Sequence, residues 1–426
     1  MYQLTKHKTM SECQTDPNTD IQLVEKLMKN IHDSNEPPDF SIVLGGPLFQ
    51  LLMRLRLTTP ALDLLKKRIF CITLFAWLPL LLLSLIEGKA WGNVGVPFLY
   101  DMEVQTRFLV ALPLLIGAEY LVHKQLRLLV GQFIDREIIT EKVLPSFKEL
   151  VASAMKLRNS VTAELILLLL VFVGGHRLWS TVSIMETSAS GSGSWYASFN
   201  SADTHLSLTG YWYIFVSRPL FQFIAYRWYF RIFIWARFLW QSSRLDLNLI
   251  PTHPDRACGL GFLGMSSILF APLIMAHGAL FAGLIANSIF FAGAKLTDFM
   301  TLILGVVLFV QAIVLGPLFV FLPSLMRAKR TGLRDYGVLA SNYVGEFDFK
   351  WVRGGASNER LIGSGDIQSL ADLANSFQVI RDVRSYPFEK DTAIQVLLFV
   401  LVPILPLVLT MIPLNELIKK IINTVF

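Results

Sequence analysis

From Ile69 to Ile86 the chain carries no charged side chain, and apolar runs of similar length recur along it. About 20 such residues cross the ~30 Å hydrocarbon core of a bilayer as a helix, which satisfies its own backbone polar groups. The runs do not alternate in polarity at every second residue, so they lack the pattern of a membrane β-barrel. With 53% hydrophobic and 16% charged residues over 426 positions, the composition fits the same class. The expected fold is all-α, a polytopic helical membrane protein of about seven transmembrane helices.

The seven runs are roughly 69–86, 108–122, 161–178, 211–240, 265–285, 299–322 and 393–414. Pro403, Pro406 and Pro413 fall in the last of these, which is therefore read as a kinked helix or a re-entrant hairpin; the count drops to six if it re-enters. Basic residues set the orientation. Lys124, Arg127, Arg136, Lys142 and Lys148 lie between runs two and three, and Arg327, Lys329, Arg330 and Arg334 follow run six; the loops on the other side hold Lys89, Arg107 and Lys295. The positive-inside rule then makes the N-terminus cytoplasmic. The net charge of +6 reflects this asymmetry and is not read as nucleic-acid binding.

Four regions follow. Residues 1–45 are a polar cytosolic arm with one short amphipathic helix (Ile21, Val24, Leu27, Met28, Ile31) and no apolar segment of signal-peptide type. Residues 46–326 form the bundle with six runs, 327–392 a cytosolic helical insert, and 393–426 the last run and an amphipathic tail. In the fifth run Gly278, Ala282 and Ala286 recur at four-residue spacing, which allows close helix approach and a central position.

The fourth run is the unusual one. Arg218, Arg227 and Arg231 lie inside it, and an arginine in a span costs roughly 2.5–3.5 kcal/mol on insertion scales. Such a residue is retained where an acid, water or an anion meets it. Arg227 and Arg231, four apart, share a helix face; Arg218 lies on the opposite one. Glu119 and Glu164, both deep in spans, are the natural counter-charges. The alternative is a cationic cavity for an anionic solute or a lipid headgroup.

The densest polar cluster outside the spans is Thr252-His-Pro-Asp-Arg256, followed by Gly259, Gly261 and Gly264. As structure it is a rigid turn with Asp255 capping the next helix; as a site, His253 is a base or ligand and Arg256 an anion clamp. The glycine spacing matches GxGxxG but follows a membrane helix rather than a strand, so it carries no dinucleotide reading. Cys13, Cys71 and Cys258 are too dispersed for a disulfide framework or a thiolate metal site, and the histidines are scattered. No metal is expected, no cofactor is indicated, and no catalytic residue is assigned.

Three stretches together resemble a family of uncharacterised bacterial polytopic inner-membrane proteins: Thr252-His-Pro-Asp-Arg-Ala257 with Gly259-Leu-Gly-Phe-Leu263, Gly365-Asp-Ile-Gln-Ser-Leu-Ala-Asp-Leu-Ala-Asn-Ser-Phe377, and the proline-bearing last run. The resemblance covers most of the chain from about residue 45. It implies a bacterial cytoplasmic-membrane location and transfers no activity.

Three functions are open at this point. The first is a transporter or binder of an anionic solute or lipid headgroup, with Arg218, Arg227, Arg231, Glu119 and Glu164 in the membrane and His253, Asp255 and Arg256 at its mouth. It requires water-accessible space reaching Arg227. The second is a lipid-modifying enzyme, requiring His253 and Asp255 to converge with Glu119 or Glu164. The third is a scaffold docking a protein partner through 327–392, along a stripe of Leu370, Leu373 and Phe377. The bilayer itself is the one partner common to all three.

Overall fold

A computed structural model of the chain describes residues 40–59, 62, 64–174, 194–200, 203–354, 360 and 363–411. The helix expected at 21–31, the His176-Arg177 pair and the tail beyond residue 411 lie outside these residues.

The described chain enters already buried. Phe40, Ile42 and Val43 are at most 1% exposed, and the Phe40 ring sits 4.7 Å from that of Phe238 and 5.9 Å from that of Trp235. Gly45 and Gly46 then turn the backbone through positive φ into α1 (Pro47–Arg54), where Pro47 occupies the first turn without forfeiting a hydrogen bond. α2 (Leu65–Ile86) is the charge-free run. α3 (Met102–Asp135) begins where the Asp101 carboxylate accepts the Val104 N–H. α4 (Leu144–Arg158) and α5 (Val161–Gly174) meet at a 45° bend, with Ser160 capping α5. A two-stranded antiparallel hairpin, Ala197–Asn200 with Asp203–Leu206, leads through short turns to α6 (Arg218–Ser242).

α7 (Ala271–Ala292) lies against α3 and the last helix. A Cβ at Gly278 would stand 2.3 Å from the Val400 carbonyl oxygen, and one at Gly283 would stand 2.8 Å from that of Met102, so these approaches require glycine. α8 (Met300–Leu315) continues through a tight turn of helix into α9 (Leu322–Phe347), which leaves the bundle and pairs with α10 (Gly365–Arg381). The Asp366 carboxylate fastens that pair, accepting from Lys350 Nζ and Trp351 Nε1 at 2.9 Å each. α11 (Lys390–Leu401) and the turn of helix Leu405–Met411 close the described chain with a 57° bend.

Four helices are long and apolar enough to cross a membrane, or up to six if each bent pair is one span. That supports a helical membrane bundle but not the full seven runs. The run not among them is α6, whose arginines together with Gln222 and its tyrosines and tryptophans lower its mean hydropathy below that of the other spans. The run expected at 161–178 is the second half of a bent pair that begins at Leu144, and the run at 393–414, expected from its prolines to kink or re-enter, bends by 57° after Leu401.

Candidate functional site

The inner polar layer lies toward the basic end of the bundle. α3 brings Glu119, α5 Glu164, and α6 Arg227 and Arg231; all four are buried. Arg231 Nη2 donates to Glu119 Oε1 at 2.7 Å, and its guanidinium lies 4.7 Å from the Trp228 ring. Arg227 Nη2 is 3.4 Å from Glu164 Oε1, a longer contact. The other Glu164 oxygen accepts the Leu48 N–H at 3.0 Å, so α5 caps the N-terminus of α1. A Cβ at Gly46 would be 2.6 Å from Glu164, which is why a glycine precedes that cap.

A third guanidinium, absent from the sequence candidates, completes the layer. Arg68 is 1% exposed and its Nη2 is 2.9 Å from Glu119 Oε2. Glu119 therefore bridges two arginines, and Arg68 Nε is buried with no hydrogen-bond partner among the described residues. Lys66 and Lys67 precede Arg68 in sequence, so the position reads as an interfacial basic run; only its register on α2, turned inward, separates it from them. The layer holds Arg68, Arg227 and Arg231 against Glu119 and Glu164, one positive charge in surplus.

Beside this layer, Ser41 Oγ lies 2.8 Å from His123 Nδ1, and Arg158 Nη1 donates to the Ser41 carbonyl at 2.5 Å. The residues around position 41 are thus held by α3, which also carries Glu119, and by the end of α4.

Arg218 is elsewhere. It is half-buried near Tyr213, in an outer layer at the opposite end. There Asp101 Oδ1 accepts from Val104 N and Asn287 Nδ2, and Oδ2 accepts from Trp195 Nε1 at 2.8 Å. Arg107 bonds to both Glu103 and the Tyr213 hydroxyl. Sequence reasoning missed this layer because Asp101, Glu103 and Arg107 read as an ordinary charged loop end, while their partners Trp195, Tyr213 and Asn287 lie 94 to 186 positions away.

The Thr252–Arg256 segment forms a third group. Asp255 Oδ1 accepts from Ala257 N at 2.8 Å and Gly259 N at 3.1 Å, and Oδ2 from Gly261 N at 2.8 Å. Burial pushes this carboxyl up, but those three amides together with His253 outweigh it and hold the group below the ordinary carboxylate range. His253 Nδ1 lies 2.9 Å from Asp255 Oδ1. Arg384 Nη2 donates to the Asp255 carbonyl at 2.6 Å and fixes the turn to the segment before α11. Arg256 is exposed, 4.0 Å from Asp382. Burial pushes the neighbouring Cys258 thiol up to about 12, with the Asp255 charge adding to the effect, so it stays protonated and unreactive at neutral pH.

Of the eight sequence candidates, Glu119, Glu164, Arg227 and Arg231 come together. His253, Asp255 and Arg256 do not join them: no hydrogen bond or ion pair links the two groups among the described residues. Among those residues, no group of three His, Cys, Asp or Glu could hold a metal ion. A cavity of about 320 Å³ lies on the basic side, between the Leu245–Pro251 segment and Arg327–Tyr336 of α9. No protein-family model, curated protein or solved structure matches this chain.

Proposed function

We propose that the chain is an integral membrane protein that holds an anionic group at the inner polar layer, with Arg227 as the side chain that meets it. One observation carries the reading: three buried guanidiniums face two carboxylates. A buried unpaired charge costs several kcal/mol, so the surplus favours a bound anion. Arg227 is the least committed of the three, since its contact with Glu164 is long and Glu164 also serves Leu48. A phosphate-bearing lipid headgroup and a small anionic solute share the chemistry that a guanidinium recognises.

The same reading puts the N-terminus in the cytoplasm, counts α6 as a seventh span shielded by its paired arginines, and takes the bacterial inner membrane from the sequence resemblance. The count returns to six if the bent last pair re-enters.

Native mass spectrometry of the protein released from detergent, beside Arg227→Gln, tests it. The expected result is a co-purified phospholipid or small anion on the wild type and its loss, about tenfold or more, on the variant. Equal retention by both proteins overturns the proposal.

A second reading, docking of a protein partner through 327–392, has its own support. Leu370, Leu373 and Phe377 are half-buried beside α9, so the free apolar surface is on α9 and just beyond it: Val338, Phe349 and Val352 are 59%, 64% and 69% exposed. Phe349→Ser tests it in the same spectra; a second protein that survives the substitution excludes this surface. The enzyme reading requires His253 and Asp255 to meet Glu119 or Glu164, and among the described residues no hydrogen bond or ion pair joins them.

A further inference from the structure

A separate cavity of about 250 Å³ lies on the flank of the bundle, between α6 and α7 and well inside the apolar segment Ala271–Ala292. Its floor is buried Leu115, Phe221 and Ala276; its mouth is half-buried Gln222, Tyr226 and Phe281. No charged side chain lines it. Gln222, Tyr226 and Tyr229 are spaced by four and three residues and so share one face of α6. Among the described residues, neither the Gln222 amide nor the Tyr226 hydroxyl has a hydrogen-bond partner. Polar groups at hydrocarbon depth have no water to turn to, so an unpaired pair there points to a missing partner.

The back wall fixes the polarity of a third group. His277 Nδ1 lies 2.8 Å from the Leu273 carbonyl, which can only accept, so Nδ1 carries the proton. Nε2 is then an acceptor, and the Tyr229 hydroxyl 2.5 Å away donates to it. The lone pairs of the Tyr229 oxygen are left for a donor in the cavity. One cavity thus offers donors (the Gln222 amide and the Tyr226 hydroxyl) and an acceptor (the Tyr229 oxygen) around a slot walled by Phe221, Tyr226 and Phe281.

We infer that this cavity binds the flat, neutral, oxygen-bearing ring of a membrane-dissolved molecule, of the quinone or quinol class, with its apolar tail left in the bilayer. The absence of a lining charge disfavours a phospholipid headgroup, and the size admits one substituted ring rather than a whole drug-sized ligand. Aromatic walls suit stacking against such a ring. In the quinone form the carbonyl oxygens accept from Gln222 and Tyr226; in the quinol form a ring hydroxyl donates to the Tyr229 oxygen. The inference concerns binding alone and is independent of the inner polar layer.

The test uses the full chain in phosphatidylcholine nanodiscs, photolabelled with a short-chain quinone carrying an azide and competed with decylubiquinone. The expected label falls on peptides containing Phe221–Tyr229 or Ala276–Phe281 and is displaced by the competitor. Ala225→Phe, which fills the half-buried mouth, should lower labelling about tenfold. Gln222→Leu should lower it about three- to tenfold, the equivalent of one hydrogen bond. Label spread over exposed α8 side chains such as Leu304 and Leu308, or displaced equally well by added phosphatidylglycerol, overturns the inference. So does label that neither the competitor nor Ala225→Phe reduces. The mapping on the wild type decides the matter even if a variant does not fold.

Discussion

The inner and outer polar layers do the same job by different chemistry. Each ties helices together across an apolar bundle. The outer layer answers its carboxylates mainly with neutral donors: Trp195, Asn287 and a backbone N–H all reach Asp101, and the Tyr213 hydroxyl shares Arg107 with Glu103. The inner layer answers charge with charge, and does so unevenly, with Glu119 shared by Arg68 and Arg231 while Arg227 has only its long contact to Glu164. A layer of neutral donors satisfies itself. A layer of surplus guanidiniums leaves one valence open, which is why the proposed anion belongs there.

Breaking the inner layer at its shared acid should have the largest effect. Glu119→Ala leaves two buried guanidiniums unanswered, and a loss of about 3–5 kcal/mol is expected, read as thermal unfolding in detergent. If the loss is below about 1 kcal/mol, water already reaches this layer and the comparison fails. Asp101→Asn strikes the outer layer more gently, replacing one of three accepting contacts with a clash of donors. The expected loss is about 1–3 kcal/mol in the same assay.

The Asp255 turn extends the comparison to a carboxylate held mainly by backbone amides, with His253 beside it. Asp255→Asn should cost about 1 kcal/mol, as for a lost cap. Because the folded state holds this carboxyl below its unfolded value of about 4, its stabilisation is complete above that pH and is lost as pH falls through the lower, folded value. The unfolding difference between wild type and variant should be flat above about pH 5 and shrink below about pH 4; a difference that grows on acidification contradicts the assignment. The smallest effect belongs to Arg227→Gln. The substitution balances the layer's formal charge, and the glutamine amide can still donate to Glu164, which also keeps the Leu48 N–H, so stability should change by less than about 1 kcal/mol even as anion retention is lost. A large destabilisation would make Arg227 a structural tie like its neighbours.

Much of this was legible in the residues. Apolar run length marks the helices, and an acid or arginine inside such a run has to find its opposite, which is how Glu119 and Glu164 are legible as counter-charges for Arg227 and Arg231, though not which acid meets which arginine. The turn at Asp255 was readable because aspartate before closely spaced glycines is a capping arrangement; a Cβ at Gly261 would stand 2.9 Å from Asp255 Oδ2. What escaped depended on rotation about a helix axis or on partners remote in sequence. Arg68 differs from Lys66 and Lys67 only in the direction it faces. The match of Trp195 to Asp101 spans 94 positions and leaves no local trace. The bend at residues 159–160 falls at the Ser160 cap and the one at 402–404 contains Pro403, but neither residue fixes the angle.

The segment from Leu296 to Val352 is one helical course of 57 residues, running from the far end of the bundle out along α9. At about 1.5 Å per residue it is a rod roughly 85 Å long. Tilting such a lever by about 5° around its midpoint carries each tip through about 4 Å, a displacement on the scale of a side chain. A lean of α8 within the bilayer about that midpoint therefore carries an equal displacement to the Asp366 clasp and the exposed Phe349 beside it.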